Sequence, residues 1–224
     1  MTFSITARCA ETGMFGVAVS SSSPAVAARC AHARAGVGAV ASQNVTDPTL
    51  GPKALDLLAG GATAAEAVTI LRRTAPHLAW RQVAVVDRFG QTAIHSGENT
   101  LGTFAETLRT NVVTAGNLLA NPQISEAMAD AFEASNGHLG DRLLDAMRAA
   151  LNAGGEEGPV HSAGLYLVDS TPFPLADLRC DWSETCPIVQ LGEIWSLYRP
   201  QMADYVTRAL NPDEAPSYGV PGDA

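Results

Sequence analysis

Apolar and polar positions alternate from the start of the chain. Phe3, Ile5 and Ala7 interleave with Thr2, Ser4, Thr6 and Arg8, the period of a strand with one face in a core. Glu11-Thr12-Gly13 reads as a turn, and residues 15–20 return as the second arm of a hairpin. That arm sets Phe15, Val17 and Val19 opposite Gly16, Ala18 and Ser20. The serines at 20–23 lead into Pro24, which ends the strand, and residues 36–43 predict a third strand. The period then becomes helical. Pro52 suits a first helical position, Leu55, Leu58 and Ala59 follow at helical spacing, and Gly60-Gly61 stops the run. Thr63 with Glu66 forms a capping box for a second helix to about Arg73, closed before Pro76.

Strands are expected again at 80–86 and 91–95, joined by Asp87-Arg88-Phe89-Gly90, while 97–109 is loop or another hairpin arm. A short strand at 111–115 is expected to end at Gly116-Asn117. Two helices follow, one from Asn121-Pro122 to Asn136-Gly137 with Ile124, Met128, Ala131 and Phe132 on its apolar side. The other runs from about Leu139 to Asn152. Strands at 162–168 and within 175–181, a helix at 188–198 and a further segment at 202–210 complete the pattern. Grouped strands alternating with grouped helices favour antiparallel sheets with helices outside over a doubly wound parallel sheet. We expect one domain over 1–210 and a loose, Pro-, Gly- and acid-rich tail over 211–224.

Composition narrows the partners. The net charge of −9 over 224 residues argues against nucleic acid and against an anionic membrane surface. No apolar run reaches membrane-span length, and the N-terminus lacks a signal-peptide pattern, so a cytoplasmic protein is expected. Cys9, Cys30, Cys180 and Cys186 show neither metal-ligand spacing nor a disulfide framework and are read as reduced thiols. Cys30 and His32 lack a third ligand, so no metal is expected. Gly13 and Gly16 do not form a phosphate loop, so no cofactor is expected either.

The sharpest chemical feature is Thr2. It is small enough for an aminopeptidase to remove Met1, which would place a free α-amine beside a hydroxyl. The amine, with a pKa near 8, could accept the hydroxyl proton directly or through a water. The plain alternative is that Thr2 is only the first residue of a strand. His161 could carry protons near neutral pH; a structural role at a strand start is its plain reading.

The order of elements and the removable Met1 resemble the N-terminal nucleophile (Ntn) hydrolases, which include proteasome β-subunits. The hairpin of residues 2–22 resembles their opening strands, and Val83-Ala84-Val85-Val86-Asp87-Arg88-Phe89-Gly90 their central hairpin. Thr114-Ala115-Gly116-Asn117 resembles a turn, and His161-Ser162-Ala163-Gly164 the Ser-Gly-Gly segment and following strand. Overall the chain is similar to a bacterial family of unknown function assigned to that superfamily. The similarity rests on the Met-Thr-Phe-Ser-Ile start, Gly-Val-Ala-Val after the first turn and the 36–43 strand ending at Gln43. Gly51-Pro52, Arg81-Gln82-Val83 and Gly116-Asn117 extend it. It implies an α+β fold, a four-layer αββα sandwich of two antiparallel sheets, with the site at the end of the first strand.

The same resemblance implies that Thr2 attacks, Gly116 and Asn117 hold the oxyanion, and Ser162 bonds the α-amine. Gln43, Ser20, His161 and Arg81 would line the substrate site. The chain departs from proteasome-type subunits in two places. Ser20-Ser21-Ser22 stands where they carry an Asp, and the sole lysine, Lys53, lies at a helix start. The expected function is an amidohydrolase for a small amide or cyclic amide. The alternatives are an inactive scaffold or small-ligand binder that keeps Met1, and an enzyme using an internal Ser or Cys. A homodimer is expected, from the small-residue-rich layers.

Overall fold

The computed structural model describes residues 1–221. In chain order the elements are β1 (Thr2–Arg8), β2 (Phe15–Ser21), α1 (Ala27–Cys30), β3 (Ala31–Arg34), β4 (Gly38–Asn44), α2 (Leu50–Ala59) and α3 (Ala64–Thr74). They continue with β5 (Arg81–Asp87), β6 (Thr92–Ser96), β7 (Ala105–Arg109), β8 (Val112–Asn117), α4 (Ile124–Ala134) and α5 (Leu139–Asn152). The last four are β9 (Ser162–Val168), β10 (Ala176–Cys180), α6 (Pro187–Tyr198) and α7 (Met202–Leu210).

Two antiparallel sheets face each other, with strand orders β10-β9-β2-β1-β8-β7 and β3-β4-β5-β6. The alternation along β1 explains their stacking. Phe3, Ile5 and Ala7 point outward and join Met128, Leu143, Leu144, Met147 and Leu191 beneath α4, α5 and α6. On the second sheet, Val40, Val83 and Val85 point outward onto Leu50, Leu55, Val68 and Leu71 of α2 and α3. Between the sheets lie Phe15, Val17, Val113 and Val168 from one side and Ala39, Ala41, Ala84 and Val86 from the other. Small side chains on the second sheet let the two backbones approach closely. The result is a four-layer αββα sandwich with cores on both sides of each sheet, which is the expected fold.

Most expected boundaries fall within a residue or two of the observed ones. The capping box is present in full: Thr63 Oγ1 accepts from Glu66 N, and the Glu66 carboxylate accepts from Thr63 N at 2.8 Å. Three differences stand out. α2 begins at Leu50, two residues before Pro52. The single strand expected at 36–43 is preceded by α1 and by β3, a four-residue edge strand whose alternation of Ala31 and Ala33 with His32 and Arg34 is too short and too weakly hydrophobic to stand out. Gly116-Asn117 is not a turn. Paired with β1 through both residues and with β7 as far as Gly116, β8 continues to Asn117, and the chain turns at Leu118 in the left-handed region, φ 52°. Beyond α7, Pro212–Glu214 form a 3-10 turn, and the Arg208 guanidinium donates to the Pro216 carbonyl. Residues 222–224 of the expected tail lie outside the described residues.

Candidate functional site

The end of β1 where the chain begins is surrounded by strand ends from both sheets. Thr2 pairs with Asn117 of β8, and its neighbour Phe3 pairs with Ser20 of β2 and Gly116 of β8. Because strand residues alternate faces, Thr2, Ser4, Ser21 and Asn117 all point into the space between the sheets, while Phe3, Ser20 and Gly116 point the other way. From the second sheet, Gln43 of β4 and Gln82 of β5 face them as a register pair.

These residues form a buried polar chain across the inter-sheet layer. Ser4 Oγ donates to Gln43 Oε1 at 2.6 Å, and Gln43 Nε2 donates to Gln82 Oε1 at 2.7 Å. Gln82 Nε2 reaches Ser96 Oγ at 3.0 Å and the Gly116 carbonyl at 3.3 Å. Asn117 Nδ2 lies 3.4 Å from Gln82 Oε1, and its Oδ1 is buried without a partner. A buried amide oxygen left unpaired costs free energy and marks a place where a donor can bind.

Thr2 itself is 5 % exposed. Its hydroxyl donates to the Met1 carbonyl, Ser21 Oγ donates to the same carbonyl, and Thr2 Oγ1 lies 3.3 Å from Ser21 Oγ. The bond joining Met1 to Thr2 is therefore held between two hydroxyls. Across from them stands Glu156, 5 % exposed, whose Oε2 accepts from Ser22 N at 3.3 Å and whose Oε1 has no partner. Burial pushes the Glu156 carboxyl up to about 7, against the opposing pull of the positive α-amine and the Ser22 hydrogen bonds. The buried Cys30 thiol is also raised, chiefly by desolvation, with the Thr46 hydrogen bond and the charges of Arg29 and the α-amine opposing it.

Three non-glycine residues near this end have positive φ: Ala25 at 50°, Asn44 at 72° and Leu118 at 52°. Each lies at or just past the end of β2, β4 or β8. Such conformations are costly for residues with a Cβ and persist where surrounding contacts over-determine them. Asn44 is held from both ends, by Nδ2 to the Trp80 carbonyl at 2.7 Å and by Leu101 N to its Oδ1 at 3.2 Å.

The other sequence-singled residues fall in separate places. Gly116 is paired on both sides, so its N–H lies in the plane of the sheet. A Cβ at Gly116 would meet Leu119 Cδ2 at 2.6 Å. Ser20 faces the helix layer and donates to the Ser162 carbonyl at 2.9 Å. Ser162 Oγ donates to the Ser23 carbonyl at 2.6 Å and accepts from Val26 N, so it pins the 23–26 turn and makes no bond to residues 1 or 2. His161 stacks on Trp182 with centroids 4.3 Å apart, and its Nδ1 lies 2.8 Å from the Ser183 carbonyl. Arg81 donates to the Val45 carbonyl on the rim.

Three residues of the cluster were not singled out by sequence: Ser4, Gln82 and Glu156. The alternation along β1 could have found Ser4, which shares the Thr2 face, while Ser21 belongs to the Ser20–Ser23 run read from the sequence as a hydroxyl-lined pocket wall. Among the described residues no group of three or more His, Cys, Asp and Glu side chains converges as a metal site. All four cysteines are free. No helix of the described chain is long and apolar enough to cross a membrane.

Comparison with known proteins agrees with this architecture. Residues 2–191 match a family of unknown function, DUF1028. The crystal structure of protein SPO2555 from Silicibacter pomeroyi, described under the same family, is 28% identical over 91% of this chain and 92% of that one, with a TM-score of 0.82. Anbu (ancestral beta-subunit) from Yersinia bercovieri covers 91% of this chain and 97% of that one at 11% identity and a TM-score of 0.39, a level that carries no argument. No curated protein matches. The chain belongs to the DUF1028 family.

Proposed function

We propose that this member of the DUF1028 family is an Ntn-type amidohydrolase that cleaves a small amide or cyclic amide through Thr2 after removal of Met1. The observation that carries the reading is the company of Thr2. Its hydroxyl sits at the end of a central strand, between two sheets, beside Ser21 and register-paired with Asn117.

In this reading the freed α-amine of Thr2 accepts the proton of Oγ1, and Oγ1 attacks the substrate carbonyl. The developing oxyanion takes hydrogen bonds from the Asn117 amide and the Ser21 hydroxyl. Gly116 keeps Asn117 in place through β8 and the Gln82 contact. The C–N bond breaks, the amine departs with the proton, and water hydrolyses the resulting ester. Ser162 and Ser20 act on the turn and strand behind Ser21, while His161 and Arg81 line the approach with Gln43 behind the reacting atoms. Neither a metal nor a cofactor is called for. The dimer and the cytoplasmic location belong to the same proposal.

One observation favours a second reading, a fold that retains Met1 and binds without catalysis. With Met1 in place, the Thr2 hydroxyl is buried and already engaged with the Met1 carbonyl. The two readings separate on protein produced to begin at Thr2 and assayed against a panel of small amides. The hydrolase reading expects turnover that Thr2→Ala abolishes, that Thr2→Ser retains, and that Asn117→Ala lowers by about 10²-fold. Turnover unaffected by Thr2→Ala would refute it.

A further inference from the structure

Met1 is itself an aminoacyl group, joined by an amide to the nitrogen of Thr2, and its carbonyl and its side chain meet different parts of the protein. Its carbonyl oxygen accepts from Thr2 Oγ1 and Ser21 Oγ. Its side chain lies over Gly158, where a Cβ would stand 3.6 Å from the Met1 methyl. Its α-amine is close enough to act electrostatically on Glu156 without forming an ion pair; that buried carboxyl has one oxygen on Ser22 N and the other unpartnered. Ser21 and Ser22 are consecutive, so the carbonyl clamp and the carboxylate are fixed to one strand end.

Glu156 is held from its other side as well. It bridges to Leu119, and Glu157 N donates to the strained Leu118 at 3.1 Å. Glu156 and Gly158 line one cleft of about 320 Å³ that continues past Pro159 to Glu184, Thr185 and Cys186.

From this arrangement we infer that the place held by Met1 is an acyl subsite for a free aminoacyl group, with Glu156 receiving its ammonium. The inference rests on the amidohydrolase reading and names its substrate class: amides of α-amino acids with an unblocked amine. The nitrogen and Oγ1 of Thr2 are separated only by Cα and Cβ. An acyl group carried on Oγ1 therefore occupies the volume next to the one Met1 vacates. In the reaction the Oγ1–acyl bond forms and the acyl–nitrogen bond of the substrate breaks. The leaving amine takes the hydroxyl proton by way of the Thr2 amine. Water then splits the ester to release the amino acid and restore Oγ1–H. A carboxylate is suited to this place because a buried oxygen without a partner is costly and an ammonium supplies three donors. The raised pKa of Glu156, caused by burial, marks the same deficit of partners.

The test compares L-methioninamide with N-acetyl-L-methioninamide on the full chain made in two forms, one beginning at Thr2 and one keeping Met1. The Thr2 form should melt about 3 °C or more higher with methioninamide and be unmoved by the acetylated compound. The Met1 form should respond to neither, because its seat is filled. Glu156→Gln, which keeps an acceptor for Ser22 N, should lose the response. In turnover, methionine p-nitroanilide should exceed its N-acetyl counterpart in kcat/KM by at least about tenfold. Stabilisation by methioninamide without turnover of either anilide supports the subsite and sinks the hydrolase reading alone. Equal or better response to the acetylated compounds, in melting or turnover, overturns the subsite. That comparison needs only the unmutated chain, so it stands even if the Glu156 variant fails to fold.

Discussion

Replacing Gln82 with leucine tests whether the buried polar chain holds the two sheets together at the candidate site. Gln82 is wholly buried and is the acceptor for Gln43 Nε2 at 2.7 Å. Leucine fills a similar volume but strands that amide between the sheets, and it removes the 3.0 Å bond to Ser96. Ser96 keeps its bond to the Glu106 carboxylate at 2.6 Å, so its loss is partial. One fully stranded amide donor costs about 1–3 kcal/mol, and the weaker contacts to Gly116 and Asn117 bring the sum to about 2–4 kcal/mol. At roughly 2–4 °C per kcal/mol for a chain of this size, melting should fall by about 6–12 °C near the middle of that range.

The decisive comparison is a double-mutant cycle with Gln43→Leu. Once Gln43 is also leucine, the loss of Gln82 no longer strands the Gln43 amide, and the only amide contact then lost to Gln82 Oε1 is the weaker one from Asn117. The pair should therefore be less destabilised than the sum of the singles by about 0.5–3 kcal/mol. Urea or thermal unfolding followed by circular dichroism measures all four proteins. Additive single effects, or a shift below about 2 °C for Gln82→Leu, would refute the bridge.

Stability should also depend on Glu156 with a defined sign. Its folded-state pKa is raised from 4.5 to about 7, so the folded chain holds the proton more tightly and stability falls as pH rises from about 4.5 through about 7. Glu156→Gln should flatten that slope in melts from pH 5 to 8, and an unchanged slope would count against the burial of this carboxyl. Gly164→Ala should lower melting by several degrees, because a Cβ there would come within 2.3 Å of the Ala27 Cβ, which has no rotamer to escape by. Light scattering of the chain at micromolar concentration should give the mass of a dimer; a monomer mass would end that proposal.

Local pattern made much of the fold legible. Alternation along β1 and β2 separates the helix-facing Phe3 and Ile5 from Thr2 and Ser4, and the Thr63–Glu66 box marks the start of α3. Both are properties of neighbouring residues, decided by burial on one face or by a hydrogen bond within a turn. β3 was not legible although Ala31 and Ala33 alternate with His32 and Arg34, because four residues with only alanines on the buried face carry little hydrophobic signal. Its place at a sheet edge comes from pairing with β4. Gly116-Asn117 reads as a turn by composition, yet pairing of both residues with β1, and of Gly116 with β7, holds it extended and passes the turn to Leu118. The site shows the same division. Thr2 could be singled out from the chain alone, whereas Gln82 joins the cluster through contacts 34 to 39 residues distant in sequence and Glu156 through one 134 residues distant.

The central claim is most directly tested on protein purified from the organism that makes it, by intact mass before and after a β-lactone acylating probe. The account predicts a mass short by one methionine and a single added label mapped to Thr2. A mass that retains Met1, with no label at Thr2, would contradict it.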